Sequence, residues 1–157
     1  QCKKVCLIGS SMGGYLATLV AQVRAEIEAT YLMAPGFNFL ERWMLSLKLD
    51  CDDETCWESK IPIFHYRYDE TRYICTDIFK DANNWSPVAL NRKVPARIVH
   101  GIHDAVVPID ESKKFVSGRP WCSLKELDTD HGLLSHLGWV VDDCIAFFKK
   151  LGILSTE

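Results

Sequence analysis

Short apolar runs alternate with helix-spaced apolar positions at the start of the chain. Residues 5–8 are continuously apolar, as in a strand covered on both faces, and the run stops at Gly9. From residue 12 to about residue 24, apolar side chains recur at helical spacing and predict a helix with one broad buried face. Residues 29–33 predict a second strand, which a Pro-Gly pair ends. This order predicts a right-handed crossover between parallel strands.

The same alternation returns in the second half of the chain. Residues 96–100 predict a strand, and residues 110–116 predict a helix that glycine and proline close. Residues 122–127 predict a last short strand, and the apolar positions between 139 and 151 predict a closing amphipathic helix. The expected fold class is therefore α/β, with a mostly parallel sheet flanked by helices.

The middle of the chain has a different character. Residues 36–90 scatter aromatic side chains among acidic groups and contain no evident strand repeat. Helices are expected over residues 39–49 and 70–83. We therefore expect one domain over residues 1–157 with a mostly helical, lid-like insertion at 36–90.

Composition narrows the classes of partner. The chain has 157 residues, of which 48% are hydrophobic and 25% charged, as in a soluble globular domain. Its net charge of -3, with both signs interspersed, offers no basic face for nucleic acid or anionic lipid. No apolar run approaches the roughly 20 residues of a membrane span. Seven cysteines without repeated CxxC spacing favour a reduced setting, cytoplasmic or in an organellar matrix.

The first glycine-rich turn carries the strongest chemical signal. The sequence GSSMG at residues 9–13 satisfies GxSxG between a predicted buried strand and a predicted helix. Such a turn holds its serine in a strained conformation, so Gly9 and Gly13 are expected to give the turning chain room. The hydroxyl of Ser11 is then presented above the sheet as a nucleophile. The N–H of Met12, at the helix start, is the expected first donor to an oxyanion.

Two other glycine-rich turns need to be weighed at this position. A dinucleotide-binding GxGxxG turn would need glycine where Ser11 stands. A phosphate-binding P-loop would need Gly-Lys followed by Ser or Thr before its helix, and the chain has neither. The nucleophile interpretation is therefore preferred to a plain phosphate cradle.

A serine nucleophile requires an imidazole base and a carboxylate that orients it. Asp104 follows the strand at residues 96–100, and His131 follows the strand at 122–127. The order serine, acid, histidine is that of α/β-hydrolases, and both loops leave the carboxyl ends of strands. The alternatives are a turn or helix-capping role for Asp104 and a surface position for His131.

Other residues compete for these roles. None of the other histidines follows the last strand; these are His65, His100, His103 and His136. Asp128 and Asp130 rank second as acids, because they stand too near His131 in sequence to reach its far ring nitrogen easily. A metal site made of Cys51, Cys56 and His65 matches no zinc spacing, so no metal is expected.

With these residues in view, the chain resembles the α/β-hydrolase superfamily, and most closely its small esterase and acyl-protein thioesterase branch. The matching blocks are LIGSSMGGYLA, LMAP, PARIVHGIHDAVVP and ELDTDHGL. The resemblance implies a triad of Ser11, Asp104 and His131, with Met12 as an oxyanion donor and no cofactor. It also implies that opening strands and a second oxyanion loop would precede Gln1.

The resemblance implies hydrolysis of a carboxylic ester or thioester through an acyl-serine intermediate. Its substrate would be a small molecule or an acyl compound. A peptidase or an acyltransferase would use the same three residues. A binding scaffold without catalysis is a further alternative, because one fold serves many functions.

Overall fold

A computed structural model describes residues 4–48, 60–65, 68–85 and 89–155. The chain divides into two compact units, one formed by Gln1–Phe37 with Ala89–Glu157 and the other by Asn38–Val88. The described helices and strands follow in this order: β1 (Val5–Ser10), α1 (Met12–Val23), β2 (Ile27–Met33), α2 (Phe39–Leu47), β3 (Lys60–His65), β4 (Glu70–Cys75), α3 (Asp77–Trp85), β5 (Ala96–Gly101), α4 (Ile109–Val116), β6 (Cys122–Leu127) and α5 (Leu137–Lys150). A short 3₁₀ helix, Leu134–His136, precedes α5.

The first unit contains a parallel sheet with the strand order β1-β2-β5-β6. Each neighbouring pair of strands runs parallel, which confirms the predicted parallel pairing and the predicted fold class. Because the strands are parallel, the loops that follow β1, β5 and β6 leave the sheet at the same edge. These are the loops that carry the residues selected from the sequence.

The first strand and the first helix are less buried than the sequence predicts. The prediction that β1 is covered on both faces is wrong, because Val5 is 37% and Ile8 is 59% exposed on this outer strand of the sheet. The predicted broad buried face of α1 is also wrong, because Leu16, Val20 and Val23 are exposed.

Both faces of the sheet are covered at β2 and β5, as the apolar runs there predict. Tyr31 and Val99 are fully buried on the face that also holds Phe148 of α5. Their chain neighbours Leu32 and Ile98 are fully buried on the opposite face, where Ala17 of α1 packs. Successive strand residues point to opposite faces, and burying each large side chain contributes about 1.5–3 kcal/mol. The site edge therefore rests on a core packed from both sides.

Arg92 joins the end of α1 to the start of β2. Its guanidinium donates hydrogen bonds of 2.6–2.9 Å to the carbonyls of Ala21, Arg24, Ala25 and Ile27. The last carbonyls of a helix have no partner within the helix, and the planar fork of arginine can serve several of them together. This contact fixes the turn through which the crossover returns to the sheet.

The second unit contains an antiparallel hairpin that the sequence analysis missed. The prediction of a helix over residues 70–83 is wrong, because Glu70–Cys75 forms β4, paired with β3, and α3 begins only at Asp77. Thr71, Tyr73 and Ile74 favour extended backbone, and a partner strand at 60–65 satisfies its hydrogen bonds. In the part of the insertion that the structure describes, two strands therefore stand beside two helices, whereas the sequence predicts mostly helix.

The predicted helix over residues 39–49 is confirmed as far as Leu47, and residue 49 lies outside the described part of the chain. Inside the second unit, α2 and α3 pack through aromatic rings. Phe39, Trp43 and Phe79 have ring centroids 5.7–6.1 Å apart, and Phe79 is fully buried. These rings give the unit a small core of its own. Its role as a lid stays a prediction.

Candidate active site

The turn at Ser11 has the strained backbone that the GxSxG pattern predicts. Ser11 has φ 53° and ψ -123°, a combination that few residues other than glycine adopt. Its N–H donates to the carbonyl of Met33 at 2.9 Å. Its own carbonyl accepts from the N–H groups of Gly14 at 3.0 Å and Gly36 at 2.9 Å. Hydrogen bonds on both sides of the residue therefore hold the strain in place.

The glycines of this turn differ in what they contribute. A Cβ at Gly9 would collide with the backbone carbonyl of Gly13, so the turn requires glycine at position 9. A Cβ at Gly14 would lie 2.9 Å from the Cβ of Pro35. At Gly13 an added Cβ meets no described atom within 4 Å, so no contact among the described residues accounts for a small side chain there. The backbone of Gly13 is what lies close to Gly9. Sequence reasoning overlooked Gly14, where a side chain would meet Pro35.

Met12 is the first residue of α1 and is 39% exposed. The N–H groups of a helix's first turn have no acceptor within the helix and carry its partial positive charge. The N–H of Met12 is therefore suited to a developing oxyanion beside Ser11, as the sequence predicts.

Asp104 lies in the loop after β5, and its side chain is fully buried. Its Oδ1 accepts the N–H groups of Val106 at 2.8 Å and Val107 at 2.7 Å, which is the turn role weighed from the sequence. Its Oδ2 lies 2.7 Å from Nδ1 of His131. One carboxylate therefore shapes its own loop and holds the candidate base.

The surroundings of Asp104 favour its ionised form. Burial alone would raise the pKa of this carboxyl group, because the charge loses solvation. The hydrogen bonds from the N–H of Val107, the ring of His131 and the N–H of Val106 outweigh burial and lower the pKa below its ordinary value. Asp104 is therefore a carboxylate at neutral pH.

His131 is oriented by that carboxylate. Because ionised Asp104 can only accept, Nδ1 of His131 carries the proton, and Nε2 of the neutral ring is left with a lone pair. The side chain is 25% exposed, so this lone pair is within reach of solvent or substrate. This is the tautomer that a general base in acyl transfer requires.

A close approach at Gly101 brings the two loops together. A Cβ at Gly101, the last residue of β5, would collide with the carbonyls of Thr129 and Asp130 in the loop after β6. Glycine at this position lets the loop that carries His131 lie directly against the loop that carries Asp104. The predicted pairing of acid and base thus has a steric cause in the sequence.

The chain of hydrogen bonds among the described residues joins Asp104 to His131 and stops short of the Oγ of Ser11. Ser11 and His131 lie in loops at one edge of the sheet, after β1 and β6. Catalytic hydrogen bonds are often long in the free enzyme and tighten when substrate binds.

The rival residues have other partners. Asp128 pairs with His103 at 2.8 Å, and both side chains are largely exposed. Asp130 accepts the N–H of Gly132 at 3.0 Å. Nδ1 of His136 lies 3.0 Å from the Oγ of Ser135. These contacts agree with their rank below Asp104 and His131.

His100 has a role that sequence reasoning overlooked. The ring is fully buried at the end of β5, and its Nε2 lies 3.1 Å from Oδ2 of Asp104 and 3.0 Å from the carbonyl of Val107. Its Nδ1 lies 2.8 Å from the Oγ of Ser112, which is also fully buried. Buried polar groups are nearly always hydrogen-bonded. A histidine at the end of an apolar strand was therefore the feature of the sequence that could have indicated a buried hydrogen-bonding partner.

For metal sites and membrane spans, the structure can be searched only over the residues that it describes. Within the described ranges, histidine, cysteine and acidic side chains form no group of three that could hold a metal ion. Cys51 and Cys56 lie outside those ranges. None of the helices in the described part of the chain is long and apolar enough to cross a bilayer.

Solved structures with similar folds cover almost all of the chain. Est1E from Butyrivibrio proteoclasticus has a TM-score of 0.76 at 21% identity, over 94% of this chain and 61% of its own. Mouse alpha/beta hydrolase domain-containing protein 10 has a TM-score of 0.68 at 21% identity, over 96% and 64% respectively. One of the metagenome-derived lipolytic enzymes LipS and LipT has a TM-score of 0.70 at 19% identity, over 95% and 66%. The chain spans less than two thirds of each of these proteins.

The parallel sheet, its flanking helices and these likenesses define an α/β-hydrolase fold, as the sequence motifs predict. No curated protein sequence matches the chain significantly. The sequence profile described as "Uncharacterised protein family (UPF0227)" matches residues 1–149, and the chain belongs to that family.

Proposed function

We propose that the protein containing this chain is a serine hydrolase that cleaves carboxylic esters or thioesters through an acyl intermediate on Ser11. The observation that carries the proposal is the 2.7 Å contact between Nδ1 of His131 and Oδ2 of Asp104. It leaves a basic ring nitrogen in a loop at the same sheet edge as a serine in a strained turn. Such an arrangement is suited to activating a hydroxyl group.

In the first half of the reaction, Nε2 of His131 takes the proton of the Ser11 hydroxyl as Oγ bonds to the substrate's carbonyl carbon. The carbonyl π electrons move onto oxygen, and the N–H of Met12 stabilises this oxyanion. When the intermediate collapses, the bond to the leaving oxygen or sulfur breaks, and His131 returns its proton to that atom. Asp104 stays ionised and stabilises the imidazolium.

In the second half, water replaces Ser11 as the nucleophile. His131 takes a proton from water, hydroxide adds to the acyl carbon, and the carboxylic acid leaves as Oγ recovers the proton. Met12 supplies one donor; a second would lower the barrier further, since each such donor is worth about 3–4 kcal/mol.

Two fold relatives are described by lipolysis or by a bound carboxylic acid. LipS and LipT are described as lipolytic enzymes, and a structure of Est1E holds ferulic acid. Both structures are less than 25% identical to this chain, so the likeness supports the fold and does not identify the substrate. The choice of an acyl substrate therefore rests on the chemistry of Ser11, Asp104 and His131.

Turnover of p-nitrophenyl esters by the full-length protein tests the proposal. Ser11→Ala is expected to lower kcat about 10⁶-fold, because no acyl intermediate can form. Ser10→Ala is the matched control, since Ser10 ends β1 one residue earlier, and it is expected to keep the wild-type rate. Full activity in Ser11→Ala would contradict the proposal.

A pair of substrates with the same acyl group separates the two leaving-group classes. One carries an alcohol and the other a thiol, and the ratio of their kcat/KM values reports which bond the site favours. A wild-type protein that turns over neither substrate, yet binds an acyl ligand as tightly as Ser11→Ala does, would support a binding scaffold instead.

A further inference from the structure

We propose that His100, held by Ser112, is a positioning residue that fixes the carboxylate of Asp104 toward His131. The inference rests on the proposed function, because it assigns a task within the same site. The evidence for it is the set of hydrogen bonds made by the ring of His100, which is fully buried and takes no part in the proposed reaction steps.

The two contacts of Nε2 define the state of the ring. Both neighbours, Oδ2 of Asp104 and the carbonyl of Val107, can only accept hydrogen bonds, so Nε2 of His100 must carry a proton. That proton is shared between the two oxygens, at 3.1 and 3.0 Å. His100 is therefore a donor toward Asp104 and does not compete for the proton of His131.

Ser112 completes the arrangement from the other side of the ring. With Nε2 protonated, Nδ1 of the neutral ring is an acceptor, and the hydroxyl of Ser112 donates to it at 2.8 Å. Ser112 lies in α4, and its burial leaves it no access to solvent. The hydroxyl thus satisfies the buried Nδ1 in the tautomer that donates to Asp104.

The carboxylate of Asp104 then has a partner for each of its four lone pairs. Oδ1 accepts from Val106 and Val107, and Oδ2 accepts from His131 and His100. A carboxylate offers about four acceptor sites, so this group is saturated and has no freedom to rotate. Without His100, one lone pair of Oδ2 would be buried and unpaired, and the group could turn away from His131.

Two substitutions of similar size separate positioning from mere packing. The amide of His100→Gln reaches the place of Nε2 and can donate to Asp104. The shorter His100→Asn places its amide near Nδ1, where it can meet Ser112 only. We expect His100→Gln to keep kcat within about threefold of wild type and His100→Asn to lower kcat about 10–100-fold, with KM unchanged in both.

Two measurements and one control variant accompany the rates in the full-length protein. Thermal unfolding shows whether the two variants are equally folded. Exposed His103 of the same loop provides the control, and His103→Asn is expected to leave kcat unchanged. The ¹H resonance of the proton on Nδ1 of His131 reports its bond to Asp104 without any turnover. It is expected to shift in His100→Asn and to stay in place in His100→Gln.

The possible results either support or overturn the positioning role of His100. A larger kcat loss in His100→Asn than in His100→Gln at equal melting temperature, with the resonance shifted only in His100→Asn, supports the positioning role. Equal kcat and equal resonances in both variants, or losses that follow the melting temperature, overturn it. If wild type shows no esterase activity, the proposed function fails, and the resonance comparison alone still decides the role of His100.

Discussion

Two aspartates, at opposite ends of the same strands, use their carboxylates differently. Asp143 of α5 accepts both prongs of the Arg97 guanidinium, at 2.8 and 2.7 Å, near the start of β5. It also accepts the hydroxyl of Tyr31 at 2.9 Å. Asp104, after the end of β5, is held by backbone N–H groups and two histidines and meets no permanent cation among the described residues.

The difference separates a structural carboxylate from one suited to proton transfer. A guanidinium stays charged at any physiological pH, so Arg97 and Asp143 form a fixed pair. The hydrogen bond to Asp143 raises the pKa of Arg97 further. Burial, and then the hydrogen bond to Asp143, raise the pKa of Tyr31, which locks its hydroxyl as a donor. An imidazole can gain and lose a proton, so the partner of Asp104 can act as a base.

The largest expected effect comes from Asp104→Asn. An asparagine amide at this position would donate toward His131 and favour the tautomer with its proton on Nε2, which cannot accept a proton from Ser11. We expect kcat to fall about 10⁴-fold. Steady-state ester hydrolysis checks this, and a loss of less than tenfold would mean that another carboxylate is the acid.

The matching change at the other end, Asp143→Asn, is expected to leave kcat unchanged and to lower the free energy of unfolding by about 2 kcal/mol. Removing one member of a buried pair usually costs about 3–5 kcal/mol, and this pair is partly exposed, which reduces the loss. Urea unfolding measures the stability. A lowered kcat with intact stability would break the distinction between the two ends of the sheet.

A smaller effect is expected from Arg97→Lys, which keeps the charge and loses the two-pronged contact with Asp143. The expected loss of unfolding free energy is about 1 kcal/mol, because a point charge replaces two parallel hydrogen bonds. Lys125→Arg, at an exposed strand position, serves as the surface control. Equal stability of Arg97→Lys and wild type would show that charge alone holds Asp143.

The pH dependence of stability gives the smallest effect. The folded-state pKa of Asp104 lies below its ordinary value of 3.8, so the ionised group stabilises the folded protein fully above that value. This contribution is lost as the pH falls below 3.8 through the lowered pKa. Unfolding titrations should show a shallower acid slope in Asp104→Asn than in wild type. Identical slopes would contradict the lowered pKa.

Much of the fold was predictable because apolar periodicity reflects burial directly. The strands β1, β2 and β5 lie at apolar runs that glycine or proline interrupts or ends, and β6 has the predicted bounds. The hairpin of β3 and β4 was missed because its pairing is a long-range property. Pro62 within β3 also argues against a strand, although an edge strand tolerates proline.

The sequence also predicted part of the candidate site. Asp104 and His131 follow strand ends in a fixed chain order, so position alone indicated them. The role of His100 depends on where its ring points, and only coordinates reveal its contacts with Asp104 and Ser112. The distinction between Gly13 and Gly14 likewise depends on Pro35, which stands elsewhere in the sequence.

The position of a covalent adduct tests the central claim most directly. The full-length protein is treated with a fluorophosphonate, and the modified residue is identified by fragment-ion mass spectrometry. The account predicts one adduct, on Ser11 and not on Ser10, whose formation is abolished by His131→Gln. An unmodified Ser11, or an adduct that forms equally fast in His131→Gln, would contradict it.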